Sequence, residues 1–198
     1  DIGDAQNFTN ISTRGGFGFF SQKLVYGQKL FVDAALSANF LNYNWENTFL
    51  ETDSGKKSFK TQYLPDFGVT WLIKPDFSVR AKIGKGNSYP TLEEFRSSNQ
   101  IVNPNLNAEF GWNKEIGVRK QFGNFLFTEV SLFDFRLKNA IVRRQNEAGQ
   151  EYFLNAGGTV QKGIEIVAET KNFRLKSFFL NAVKLYVSGS FYDFSFDY

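Results

Sequence analysis

Strict two-residue alternation of apolar and polar side chains is the feature that most limits how this chain can fold. In Phe77-Ser78-Val79-Arg80-Ala81-Lys82-Ile83 every odd position is apolar and every even one polar or charged. Successive side chains leave a strand on opposite faces, so the run predicts a strand with two unlike faces. Over 109–122 the same pattern puts Phe110, Trp112, Ile116, Val118 and Phe122 on one face and Glu109, Asn113, Glu115, Arg119 and Gln121 on the other. Lys114 and Lys120 interrupt the apolar face. Over 30–40, Leu30, Val32, Ala34, Leu36, Ala38 and Phe40 alternate with Asp33, Ser37 and Asn39. Each run has about the length that a tilted membrane-crossing strand requires.

Composition agrees with strands of this kind. The 198 residues include 24 Phe, yet mean hydropathy is −0.33, so large apolar groups are interleaved with polar ones. No stretch approaches the roughly 18 apolar residues of a spanning helix. Cys, His and Met are absent, which removes thiol nucleophiles, Cys/His zinc sites and histidine bases. No catalytic residues, metal site or cofactor are therefore expected. A net charge of +3, with both signs spread along the chain, forms no basic stripe, and no nucleic-acid partner is expected.

Punctuation between the runs is uneven. Tight turn chemistry stands at Gly27-Gln28-Lys29, Lys74-Pro75-Asp76 and Gly123-Asn124. Longer polar connections fall at about 47–56, 87–108 and 145–150. The chain thus predicts an all-β antiparallel meander of about eight strands, at 8–26, 30–46, 57–73, 77–86, 109–122, 125–143, 151–170 and 180–198, with no helix. Alternating short turns and long loops is the habit of outer-membrane barrels, whose periplasmic turns are short. Short turns after strands one, three and five put both ends of the chain on the extracellular side, as in a segment of a larger wall. Two other readings stay open: a small autonomous outer-membrane barrel with a structural or adhesive role, and a soluble all-β ligand-binding module. An inward direction of Val79, Ile83, Trp112, Ile116 and Val118 would favour the soluble module.

Several motifs then occur in order. Tyr89-Pro90-Thr91-Leu92-Glu93-Glu94-Phe95 follows a strand ending Gly84-Lys85-Gly86. After it come Asn103-Pro104-Asn105-Leu106-Asn107-Ala108-Glu109, Glu115-Ile116-Gly117, Lys138-Asn139-Ala140-Ile141, Asn155-Ala156-Gly157 and Gly163-Ile164-Glu165. In this order the chain resembles the TonB-dependent receptors, best from about 63 to 196. The motif positions carried over are Pro90, Leu92, Glu93, Pro104, Leu106, Asn155, Gly157 and Gly163. The resemblance implies a parent barrel of about 22 strands with a plugged lumen. It also implies an energy-coupling segment that meets TonB, and uptake of a nutrient chelate, most of all a ferric siderophore, through the bacterial outer membrane. Residues 1–198 would supply part of that wall, bordered by outer-membrane lipid, and no plug domain.

Individual residues divide by face. Arg80, Glu109, Glu115, Arg119, Glu129 and Glu165 fall on the polar face, which in such a parent turns toward lumen and plug. Arg143 and Arg144 close a strand beside a long loop, where an anionic ligand would meet them, although a solvated pair explains them too. Glu93 and Glu94 are the one tempting carboxylate pair, but adjacent side chains point apart, and a loop-ordering role is expected. Gly111, Gly117, Gly163 and Gly189 fall inside strands, where crowding in the wall would require them. The aromatic run 191–198, with Tyr43, Trp45 and Tyr63, is expected to form a membrane-interface girdle. The glycosylation-like triplets at Asn7 and Asn10 are read as chance matches.

Overall fold

The computed structural model describes residues 9–47, 54–96, 101–174 and 182–197. Among them the strands are β1 (Thr9–Tyr26), β2 (Leu30–Asn47), β3 (Gly55–Ser58), β4 (Gln62–Lys74) and β5 (Phe77–Ser88). A one-turn helix α1 (Leu92–Phe95) comes next. There follow β6 (Glu109–Phe122), β7 (Leu126–Lys138), β8 (Ile141–Gln145), β9 (Glu151–Asn155), β10 (Gly158–Thr170), β11 (Phe173–Arg174), β12 (Ala182–Val183) and β13 (Tyr186–Asp197).

Eight of these form one antiparallel meander in the order β1-β2-β4-β5-β6-β7-β10-β13, with β3 added beside β2. The three turns expected from sequence all join neighbours. In the first, Gly27 and Gln28 both take positive φ, at 56° and 55°, and the Lys29 amide donates to the Tyr26 carbonyl at 3.2 Å. Two central residues in that region suit the right-handed twist of the flanking strands. The long connections after β2, β5 and β7 fall at the opposite edge of the sheet, where Thr9 pairs with Asn47 and Asp197 with Gly158. Residues 171–185 between β10 and β13 are the exception, a long connection at the short-turn edge that carries the separate pair β11–β12, so that the strand read at 180–198 joins the wall only from Tyr186.

Three expectations need correction. The strand read at 57–73 is broken, because β3 pairs with the end of β2 and Phe59 then turns into a buried cluster before β4 begins. The strands read at 125–143 and 151–170 leave the wall at Lys138 and rejoin it at Gly158; between them β8 and β9 make a separate two-stranded ribbon. Asn139 permits the exit by adopting φ 56° and Gly157 the return at φ 58°. Contrary to the expectation of no helix, one turn of helix is present, because Thr91 and Glu94 form a reciprocal capping box.

Register fixes the two faces. One row across the wall runs Val79-Val118-Val130-Ile166, and the next Ala81-Ile116-Leu132-Ile164. Side chains in these rows have nothing packed over them among the described residues, and Ile116 is 52% and Leu132 49% exposed. The alternate row runs Arg80-Gly117-Ser131-Glu165. Ile83, Trp112, Ile116 and Val118 are exposed and Val79 is half-buried, so the apolar set does not close into a core. The buried aromatic cluster sits instead at the long-connection edge, on the polar side. No helix among the described residues is long and apolar enough to cross a membrane.

Candidate functional site

The long-connection edge is held together by the motif residues themselves. The Tyr89 hydroxyl donates to the Asn39 carbonyl at 2.7 Å, and the Tyr43 hydroxyl donates to the Pro90 carbonyl at 2.6 Å. Together they tie the connection after β5 to β2. Within the helix turn, the Glu94 amide donates to Thr91 Oγ1 at 3.2 Å and the Thr91 amide to Glu94 Oε2 at 2.7 Å. This turn delivers Phe95, fully buried, onto Tyr43 at 4.8 Å between centroids, with Trp45 at 5.6 Å and Phe59 at 6.4 Å. Glu94 thus orders the loop as expected, while Glu93 and Leu92 are exposed.

A second clasp joins the connections after β5 and β7. Asn103 Nδ2 donates to the Phe153 carbonyl at 2.9 Å, and Asn103 Oδ1 accepts from the Asn105 amide at 3.1 Å, shaping the turn that carries exposed Pro104. Leu106 is buried at 1% exposure. The Asn107 amide donates to Asn155 Oδ1 at 2.7 Å, and Asn155 Nδ2 donates to the carbonyls of Asn107 and Asn139, at 3.0 and 2.7 Å. Glu109 Oε1 accepts the Ile141 amide at 2.6 Å, where the ribbon leaves the wall. A neutral amide side chain that both donates and accepts fits this junction; a carboxylate at 155 would lose both donations.

On the polar face Arg80 stands between two carboxylates, with Nη2 at 2.5 Å from Glu115 and 2.6 Å from Glu129. Arg119 Nε reaches Glu129 from the other side at 2.8 Å. Two arginines and two glutamates therefore balance locally. Glu165 lies in the Arg80 row, so all six residues assigned to the polar face share it by register, with Glu109 spent on the loop amide. Arg143 is held by Glu151 across the ribbon at 3.0 Å, while Arg144 lies opposite Tyr152 and is exposed without an ion pair among the described residues.

Two aromatic readings change. Tyr43 is 3% exposed and packs with Trp45 under the loops on the polar side, so neither belongs to a lipid girdle; Tyr63, 62% exposed, stays on the apolar face. Alternation carried past Asn39 would have found this, because Tyr43 and Trp45 share the odd positions of Asp33 and Ser37. In β13 only Phe191 faces with Ile164, whereas Tyr192, Phe194 and Phe196 share the face of Glu165. Tyr198 and Asn7 lie outside the described residues.

Of the strand glycines, three answer to crowding. A Cβ at Gly163 would lie 2.5 Å from the Phe191 carbonyl oxygen, at Gly111 2.9 Å from the Phe135 ring, and at Gly117 3.0 Å from Arg80 Nε. Gly189 has nothing within 4 Å and is not explained this way.

Comparison with known proteins adds to this geometry. Residues 2–198 match the family model described as TonB dependent receptor-like, beta-barrel. Among curated proteins no sequence match is found. The FrpB iron transporter from Neisseria meningitidis (F3-3 variant) superposes with a TM-score of 0.66 at 19% identity, over 93% of this chain and 26% of that one. The siderophore receptor PirA from Pseudomonas aeruginosa gives 0.61 at 14% identity, over 95% and 44%. The copper transporter OprC gives 0.64 at 14% identity, over 82% and 27%. The chain thus spans less than half the length of each of these solved structures, and at these identities the likeness is one of fold.

Proposed function

Since the chain belongs to the family of TonB-dependent receptor β-barrels, we propose that it forms part of the wall and outer loops of an outer-membrane transporter that imports a nutrient chelate, a ferric siderophore first of all. The observation that carries this reading is the division of the sheet. Three short turns and one longer connection occupy one edge, long connections clasped to each other occupy the other, one face is apolar and bare, and the opposite face holds a balanced ion network. A wall between lipid and a polar lumen has that form. In this reading residues 1–198 are a partial barrel without the plug domain. The polar-face network meets the plug, and the β8–β9 ribbon offers Arg144 to an anionic ligand from outside. Coupling to TonB belongs to another region of the parent. Iron and siderophore in the titles of FrpB and PirA support the cargo class, and copper in that of OprC shows that the fold admits other metals.

Deleting the parent gene is expected to abolish energy-dependent uptake of at least one labelled ferric siderophore. Unchanged uptake of iron complexes, cobalamin and oligosaccharides would overturn transport altogether. The direction of the faces has its own test, made easy by a chain without cysteine. Nitroxide labels at Ile116→Cys and Glu165→Cys, in the full-length protein in bilayers, should separate. The first is expected to relax faster with oxygen, the second with a water-soluble nickel chelate. Equal or reversed accessibility would contradict a lipid-facing apolar side.

A further inference from the structure

The connection after β5 folds inward rather than standing clear of the wall. Tyr89 and Tyr43 tie it to β2, and α1 places Phe95 among Tyr43, Trp45 and Phe59 on the polar side. From there the chain doubles back. The Asn103 amide donates to the Phe95 carbonyl at 2.8 Å, Arg96 and Val102 form a bridge, and Val102 joins the buried cluster. Residues 89–96 and 101–108 thus make one well-buried piece over the polar face.

The β8–β9 ribbon is built differently. None of its ten residues is buried, and it leaves and rejoins the wall at Asn139 and Gly157, both with positive φ. A two-stranded ribbon is marginal in water on its own. The connection braces it: Asn103 Nδ2 donates to the Phe153 carbonyl, and Glu109 Oε1 accepts the Ile141 amide. Asn155 does more than either, because its side chain accepts the Asn107 amide and donates to the carbonyls of Asn107 and Asn139. One amide group therefore joins the ribbon's end, the ribbon's exit from the wall, and the connection. The residues beside these contacts, Leu106, Ala108 and Ala140, are buried.

We propose that the connection and the ribbon open and close as a single lid over the polar face, with Asn155 as the positioning residue that couples them. Segments with few buried contacts open at low free energy unless they share their bonds with a better-buried neighbour. The ribbon shares its bonds with the piece anchored by Phe95, so neither half opens without straining the other. An anion that met Arg144 on the ribbon would then bias the whole lid, since a ligand favouring one position of a two-state element shifts all of it. That the lid gates a transporter's mouth rests on the proposed function. Its cooperativity does not, and it is measured with no ligand present.

The experiment is hydrogen exchange read by mass spectrometry on the full-length protein in detergent. Peptides covering Arg96 and Asn103 report on the connection, those covering 141–145 on the ribbon, and those within β6 on the wall. Phe95→Ala is expected to accelerate exchange in the connection and the ribbon by the same factor, about a hundredfold, with β6 unchanged. Asn155→Ala should accelerate both by about tenfold, as the loss of three hydrogen bonds at a partly exposed site implies. Asn146→Ala serves as the control. Asn146 Oδ1 accepts the amides of Ala148 and Gln150 at the ribbon's tip, away from the clasp, so this variant should loosen the tip and leave the connection unchanged. Acceleration confined to the substituted half in Phe95→Ala or Asn155→Ala would overturn the single lid. A connection loosened as much by Asn146→Ala as by Asn155→Ala would overturn the role of Asn155. Should Asn155→Ala fail to assemble, the ribbon's response to Phe95→Ala decides alone.

Discussion

Phe95→Ala is expected to open the loop edge of the barrel while leaving the wall intact. The ring is fully buried and touches three other aromatics, from β2, from the break between β3 and β4, and from within β2 again at Trp45. Removing such a side chain costs about 3–5 kcal/mol when the cavity cannot collapse. Collapse is opposed here, because Tyr43 is fixed to the Pro90 carbonyl and Tyr89 to Asn39. At about 1.4 kcal/mol per decade, the open state of the connection should rise by two orders of magnitude or more. Limited proteolysis of the folded full-length protein reads this directly, since cleavage follows the open population when reclosing is fast. Cleavage between β5 and β6 should accelerate at least a hundredfold, with heat-modifiable migration unchanged. An unaltered rate would show that the aromatic cluster does not hold the loops.

Gly163→Val is expected to damage the wall itself. A first side-chain atom at this position would lie 2.5 Å from the Phe191 carbonyl oxygen and 2.7 Å from the Phe133 ring. The ring can turn away, but the carbonyl belongs to the β10–β13 ladder and moves only if the strands part. Overpacking of this kind costs about 3 kcal/mol, added to whatever ladder hydrogen bonds lengthen. The folded, heat-modifiable fraction in outer-membrane preparations should fall several-fold. Gly189→Ala, on the neighbouring strand with open space around it, should leave that fraction unchanged. If Gly163→Val assembled as well as the parent, the crowding account of the motif glycine would be wrong.

Much of the wall was legible in the residue order. Alternation over 109–122 became β6 with the same bounds, and the three short turns appeared where Gly27, Pro75 and Gly123 stand. Side-chain faces also followed, since parity alone assigns Ile116 and Glu115 to opposite sides of a strand. The loop edge was not legible in this way. Its motif residues announced a family, yet their work as clasps depends on partners about 50 positions away, such as Tyr89 with Asn39 and Asn155 with Asn107. The capping box at Thr91 and Glu94 is the exception, a signal contained within four residues of sequence. Lys114 and Lys120 looked alike as interruptions of one face; only the pairing across strands showed Lys120 in an ion pair with Asp76 and Lys114 opposite Asp134, which Arg136 and Lys162 engage.

By itself, then, the sequence determined that strands would form, where they would turn, and which side chains would share a face, because these follow from a period of two and from turn chemistry within a few residues. The tertiary structure decided where strands leave the wall, which aromatics are buried under loops, and which charges are balanced. Those outcomes depend on contacts between residues distant along the chain, and no local period encodes the partner.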